Sequence, residues 1–196
     1  MNLKADVLTA DEIGRVSDVL SERSSIGLRN RALLALLYRG GLRVSEALNL
    51  RESDCDLAGG VVKVRKSKTK AGLRLAAIDR EACSTVSTWV ERRRKLEIDP
   101  AAPLLCTLQG TPIYQSYVRT LLPRLAGRAH VNKRLHAHGL RHAHALELYR
   151  AGADLVDIRD QLGHANIAST DAYLRRVNQG ERIARLHALR NDAKEN

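Results

Sequence analysis

The chain has 196 residues, 44% of them apolar, enough to build a buried core, so a wholly disordered basic tail is excluded. Lys and Arg number 33 against 22 Asp and Glu, a formal charge of +11, as expected of a protein that displaces counterions from a polyanion. Only 3% of residues are aromatic and none is Phe, which argues against base-stacking single-strand modules and favours duplex DNA gripped through its backbone.

Thr9-Ala10-Asp11-Glu12 reads as a capping box opening a helix through Ile13, Val16, Val19 and Leu20. A second helix is expected from about residue 28 to 38, burying Ala32, Leu33, Leu36 and Leu37, with Gly40-Gly41 stopping it. Residues 43–48 begin another short helix. Strands are expected at 61–65 and 73–78, joined by a Lys-rich turn at 66–72. Asp79 can cap a helix to about residue 96 carrying Val86, Trp89 and Val90, and Pro100 and Pro103 then give a loop. Residues 116–128 read as a helix kinked at Pro123. A helix at 139–150 stops at Gly152, and Asp154 caps the next, which runs through Ile158 and Leu162 to Gly163. Ser169 or Thr170 caps a short helix containing Tyr173, and 181–190 is a final amphipathic helix with Ile183, Leu186 and Leu189 on one side. No internal repeat or low-complexity linker interrupts the pattern. One mainly helical domain with a small β-hairpin is expected.

No apolar run approaches the roughly 20 residues of a membrane span, and the first six residues do not read as a secretory signal. Cys55, Cys83 and Cys106 are scattered, without a Cys-x-x-Cys pair, as expected of reduced thiols in a cytoplasmic protein. Four of the seven histidines crowd into positions 136, 138, 142 and 144. Taking His138 and His142 as metal ligands fails on chemistry: no adjacent Glu accompanies them, and Arg141 lies beside them. A phosphate reading uses the same residues better. His138 and Arg141, three apart on a helix, present an imidazole and a planar guanidinium fork together.

Three ordered motifs make the pattern specific. Gly40-Gly41-Leu42-Arg43-Val44-Ser45-Glu46-Ala47-Leu48 resembles the first arginine motif of tyrosine recombinases, the phage-integrase and Xer-type family. His138-Gly139-Leu140-Arg141-His142 resembles its His-x-Leu-Arg-His motif. Leu162-Gly163-His164, followed nine residues later by Tyr173, resembles its Leu-Gly-His block and nucleophilic tyrosine. The resemblance runs from about Leu8 to Val177. It implies a mainly α fold of the α+β kind: a helical catalytic domain with a small antiparallel sheet or hairpin.

The resemblance also implies roles. Arg43 and Arg141 would hold the non-bridging oxygens of the scissile phosphate, and His164 would hydrogen-bond it. His138 would assist proton transfer at Tyr173, the nucleophile. A lysine in the hairpin turn would protonate the leaving 5′ oxygen: Lys68 is the choice, with Lys66 and Lys70 as alternatives. Glu46 would support the site rather than act in the chemistry. Physical chemistry favours the same cast. Cationic clamps stabilise an anion that gains charge as it is attacked, a phenol of pKa about 10 needs a base or a positive field, and a departing alkoxide needs a proton.

The expectation is therefore a site-specific recombinase that cuts and rejoins duplex DNA through a 3′-phosphotyrosyl intermediate, with no nucleotide cofactor or metal. Its partners would be duplex DNA and further copies of itself, as dimer or tetramer, and no membrane. When bound it would associate with the nucleoid. Residues 1–177 would form the catalytic domain, and 178–196 a helical tail exchanged between protomers. Longer relatives carry a preceding DNA-clamping domain. Either a minimal recombinase, similar to the short fimbrial-switch-type invertases, or an excised fragment fits this chain. Two alternatives share the fold: a catalytically idle DNA-binding regulator, and a relaxing enzyme of the type IB topoisomerase kind.

Overall fold

In a computed structural model of the protein, which describes residues 7–65 and 73–164, Thr9 and Glu12 form the expected capping box. The Thr9 hydroxyl accepts from the Glu12 N–H at 3.2 Å, and the Glu12 carboxylate accepts from the Thr9 N–H at 2.8 Å. They open α1 (Ala10–Asp18). The next helix, α2 (Ser25–Tyr38), begins three residues before the expected start, because the Ser24 hydroxyl accepts the Gly27 N–H at 3.0 Å and caps an extra turn. Apart from Arg31, every residue of α2 from Leu28 onward is buried. It is a central helix enclosed on all sides, chiefly by the later helices Arg80–Lys95 and Ala137–Arg150, rather than an amphipathic surface helix.

A short helix, α3 (Val44–Leu48), follows the glycine pair. The sheet has three strands rather than the two expected: β1 (Cys55–Asp56), β2 (Val61–Arg65) and β3 (Leu73–Ala77), all antiparallel and in that spatial order. A two-residue strand leaves no periodicity to read, so β1 is invisible in the sequence. The register sets Val61 opposite Ala77, Val64 opposite Arg74 and Arg65 opposite Leu73. Val62, Val64 and Ala76 therefore face the core, and Lys63, Arg65, Leu73 and Leu75 face outward.

Asp79 caps α4 (Arg80–Lys95) by accepting the Ala82 N–H at 2.8 Å. The Trp89 indole N–H donates to the Leu104 carbonyl at 2.8 Å, and the buried Arg93 donates to the carbonyls of Leu104, Asp99 and Ala102. These bonds hold the Pro-containing loop in the core, so its backbone acceptors are satisfied without a strand ladder. Next come α5 (Gln115–Arg128), with Pro123 inside it, α6 (Ala137–Arg150) and α7 (Leu155–Leu162). One apolar core joins α1 through α6, and a smaller cluster of Ala145, Ile158 and Leu162 glues α7 to α6. Gln161 seals the open edge of β3: its side-chain amide donates to the Ala77 carbonyl, and its side-chain oxygen accepts the Ala77 N–H, both at 2.8 Å. No helix among the described residues is long and apolar enough to cross a membrane. The expected turn at 66–72 with its lysines, the segment containing Tyr173 and the expected 181–190 helix lie outside the described residues.

Candidate active site

The site forms where α3, α6, β3 and the end of α7 converge. Gly41 adopts φ +59°, a left-handed turn that redirects the chain after α2, and a Cβ there would meet the buried His144 ring at 2.5 Å. Two residues later Arg43 is the N-cap of α3. Glu46, at the third position of the helix, reaches back so that its Oε2 accepts the Arg43 backbone N–H at 2.8 Å, while its Oε1 accepts Arg43 Nη1 at 2.8 Å. One carboxylate thus fixes both ends of the same arginine.

The α6 helix starts at Ala137, two residues before the expected position, because the His136 ring Nδ1 accepts the Gly139 N–H at 3.0 Å. That places His138 in the first turn and Arg141 one turn on, sharing a face as expected. The two differ in exposure. His138 is at the surface, edge-on to His142 with ring centroids 5.0 Å apart, whereas Arg141 is buried. Arg141 Nη1 donates to the Gly41 carbonyl at 2.6 Å, Nη2 donates to the Leu162 carbonyl, and Nη1 lies 3.9 Å from Glu46 Oε2.

Gly163 ends α7 with φ 62°. This turn holds His164, whose N–H donates to the Arg159 carbonyl at 3.0 Å. Arg43 Nη2 donates to the Gly163 carbonyl at 3.2 Å. Two further residues, which the motifs do not single out, complete the site. Arg74 on β3 donates from Nη2 to Glu46 Oε2 at 2.7 Å and from Nη1 to the Gln161 carbonyl at 2.5 Å. Gln161 also donates to the Gly40 carbonyl at 3.2 Å. The signal for Arg74 was in the strand period: counting back by two from Ala76 puts the arginine on the core face and the leucines on the surface.

The electrostatics follow from this crowding of cations. Burial would push the Glu46 carboxyl up, but the Arg43 N–H and the Arg74 charge more than offset it and hold it below the usual carboxylate range. Lost hydration on the packed side of its ring, then the charges of Arg141 and Arg43, push the His138 imidazole down. The same causes, with smaller contributions from His138 and Arg74, push His164 down to about 4. Both shifts favour the neutral imidazole, which can donate one N–H and accept one proton. Among the described residues, three guanidinium groups gather around one carboxylate. Such a field suits an anion whose charge grows during reaction. Of the residues expected at the site, Arg43, Glu46, His138, Arg141 and His164 come together; Lys68 and Tyr173 lie outside the described residues.

The sequence pattern of the phage integrase family matches residues 6–179. The tyrosine recombinase XerC of Halalkalibacterium halodurans is 35% identical over 172 residues, covering 85% of this chain and 56% of that protein. The crystal structure of XerA recombinase superposes with a TM-score of 0.80 at 25% identity, over 94% of this chain and 64% of that one. XerH site-specific recombinase bound to its difH substrate, in a pre-cleavage complex, gives a TM-score of 0.73 at 25% identity, over 86% of this chain and 49% of that one. This chain spans little more than half the length of the XerC relative. A family pattern running through every described residue, on a fold that these recombinases share, means that the chain belongs to the phage integrase family of tyrosine recombinases.

Proposed function

We propose that the protein is a site-specific recombinase that cleaves and rejoins duplex DNA through a 3′-phosphotyrosyl intermediate. The observation that carries this reading is that Arg43 and Arg141 both bind the end of α7 just before His164, within electrostatic reach of His138 and His164, with Glu46 holding Arg43 in place. The likeness to XerC, and to XerH bound to its substrate, supports it.

In this reading Arg43 and Arg141 take the two non-bridging oxygens, and neutral His164 donates a hydrogen bond to the same group. Tyr173 Oη attacks phosphorus while its proton passes to His138, whose neutral imidazole accepts it. The bond from phosphorus to the 5′ oxygen breaks, and Lys68 supplies that oxygen with a proton. The phosphodiester becomes a phosphotyrosine without net loss of bond energy, so a 5′ hydroxyl from another strand reverses the step. No nucleotide is consumed, and the guanidinium groups provide the charge stabilisation. Residues 1–177 form the catalytic domain in this proposal, and 178–196 a tail that docks on a neighbouring copy on DNA. The test is a duplex nicked near the scissile position, whose short cleaved fragment diffuses away. Protein that migrates with labelled DNA on a denaturing gel supports the reading, and its absence across duplexes carrying candidate sites overturns it.

A further inference from the structure

Three consecutive carbonyls end α7, and each accepts a hydrogen bond from a different arginine: Gln161 from Arg74, Leu162 from Arg141 and Gly163 from Arg43. A helix C-terminus leaves such carbonyls without intrahelical partners and carries a partial negative charge, so it attracts cations. Arg43 and Arg141 have roles in the reading above. Arg74 has none, yet like Arg43 it donates to both Glu46 and the end of α7.

Its contacts point to a role other than direct contact with DNA. The Arg74 side chain is only 9% exposed, and the strand register turns it inward opposite Val64. Its two terminal nitrogens are spent within the protein, on a carboxylate at 2.7 Å and a carbonyl at 2.5 Å. What it does instead is hold Glu46. The carboxylate sits 3.9 Å from Arg141, outside hydrogen-bond range, while Arg74 takes its Oε2 at 2.7 Å. Oε1 already holds Arg43, so without Arg74 the freed Oε2 would face Arg141, 3.9 Å away and one of the pair that the phosphate needs. The carboxylate would then compete with the substrate. The Gln161 carbonyl would lose its anchor too, two residues before Gly163 and three before His164.

We infer that Arg74 is a positioning residue: by holding Glu46 and the end of α7, it sets the geometry in which Arg43, Arg141 and His164 receive the scissile phosphate. The inference rests on the recombinase reading and deepens it.

The test measures single-turnover cleavage of the nicked duplex at saturating protein for the wild type, Arg74→Gln, Arg74→Lys, Glu46→Gln and the double variant Arg74→Gln/Glu46→Gln. Thermal midpoints and half-site affinity are measured alongside. Arg74→Gln is expected to slow cleavage on the order of a hundredfold, since misplaced groups lose transition-state contacts, with half-site affinity within about twofold. Arg74→Lys keeps a cation beside Glu46 and so folds, but one ammonium lacks the fork that spans carboxylate and carbonyl, so cleavage stays slow. The double variant should be no slower than the slower of its two single variants, because Arg74 acts through Glu46. Wild-type cleavage by either Arg74 variant overturns the positioning role. So does a double variant in which the two losses multiply, or a rate loss that disappears when the variant is assayed well below its melting temperature. A wild-type protein that forms no adduct overturns the recombinase reading, and the positioning role falls with it.

Discussion

The Arg74 side chain fills the space where a Cβ of Gly163 would stand, with its Cδ and Nε both 2.5 Å from that position. Gly163 is thus required twice: once for its left-handed φ of 62°, which turns the chain out of α7, and once for the absence of a side chain beside a buried guanidinium. Sequence motif and strand residue are two halves of one contact.

Replacing Gly163 by Ala is therefore expected to cost about 1–2 kcal/mol from the backbone alone, and more because Arg74 must move. Gly14 offers the opposite case. It lies inside α1 with nothing within 4 Å of an added Cβ, so Gly14→Ala should stabilise by about 0.5–1 kcal/mol. Urea unfolding of both variants checks the pair. A Gly163→Ala protein as stable as the wild type would show that the contact yields freely.

How much of this was legible beforehand depends on what each residue signals locally. Asp79, Asp154 and the Thr9–Glu12 box announce helix starts by side-chain chemistry, and each stands where expected. His136 carries no such conventional signal, so α6 begins two residues early, with its ring as the cap. Arg43, Arg141 and His164 are found by their motif and spacing. Arg74 is isolated from every motif, and only its parity within β3 turns it inward. Glu46 reads as a support, but that it joins Arg43 to Arg74 needs the third dimension, because 28 residues separate it from Arg74.

The two phosphate arginines should separate by their effect on stability. Arg141 is buried and ties the Gly41 and Leu162 carbonyls together, so Arg141→Ala leaves those acceptors unsatisfied and should cost about 3 kcal/mol. Arg43 is 45% exposed, and Arg43→Ala should cost less than about 1 kcal/mol. Both should reduce cleavage on the order of a hundredfold or more. Equal melting temperatures for the two variants would contradict the assignment of a structural role to Arg141.

The nucleophile and the acid are separable by chemistry. Tyr173→Phe removes only a hydroxyl, so duplex binding should persist while the covalent adduct vanishes from denaturing gels. An adduct that survives would move the nucleophile elsewhere, with Tyr149 next to be tested. For Lys68→Ala, a duplex carrying sulfur in place of the leaving 5′ oxygen should restore cleavage, since a thiolate departs without a proton. The same substrate should not rescue Arg43→Ala, and equal rescue of both would refute the division of labour.

The tail proposal concerns assembly. Ile183, Leu186 and Leu189 recur at helical spacing over a segment too short to be a stable helix alone. If this stripe docks on a neighbour, truncation after Val177 should weaken cooperative binding to a two-site duplex more than binding to a single half-site. Gel-shift titrations on both duplexes decide, and an equal loss on each would assign the stripe to its own subunit.

The remaining prediction concerns acid stability and His144. This residue is buried against Gly41, its Nε2 3.4 Å from the Gln161 side-chain nitrogen, and it is pushed down to about 4, by burial first and then by the Arg141 charge. The unfolded chain holds the same imidazole near its ordinary value of about 6.5. Between these limits the unfolded state binds the extra proton, so His144 opposes folding increasingly as the pH drops. Its contribution is intact above about pH 6.5, and roughly 3 kcal/mol is lost by pH 4. His144→Leu, which keeps the volume and removes the titration, should leave stability at pH 7.5 within about 1.5 kcal/mol of the wild type. It should also flatten the decline between pH 6.5 and 4.5 by close to one bound proton. Urea midpoints at half-unit pH steps give that slope directly. An unchanged slope in the variant would mean that the acid sensitivity of the fold arises from other groups.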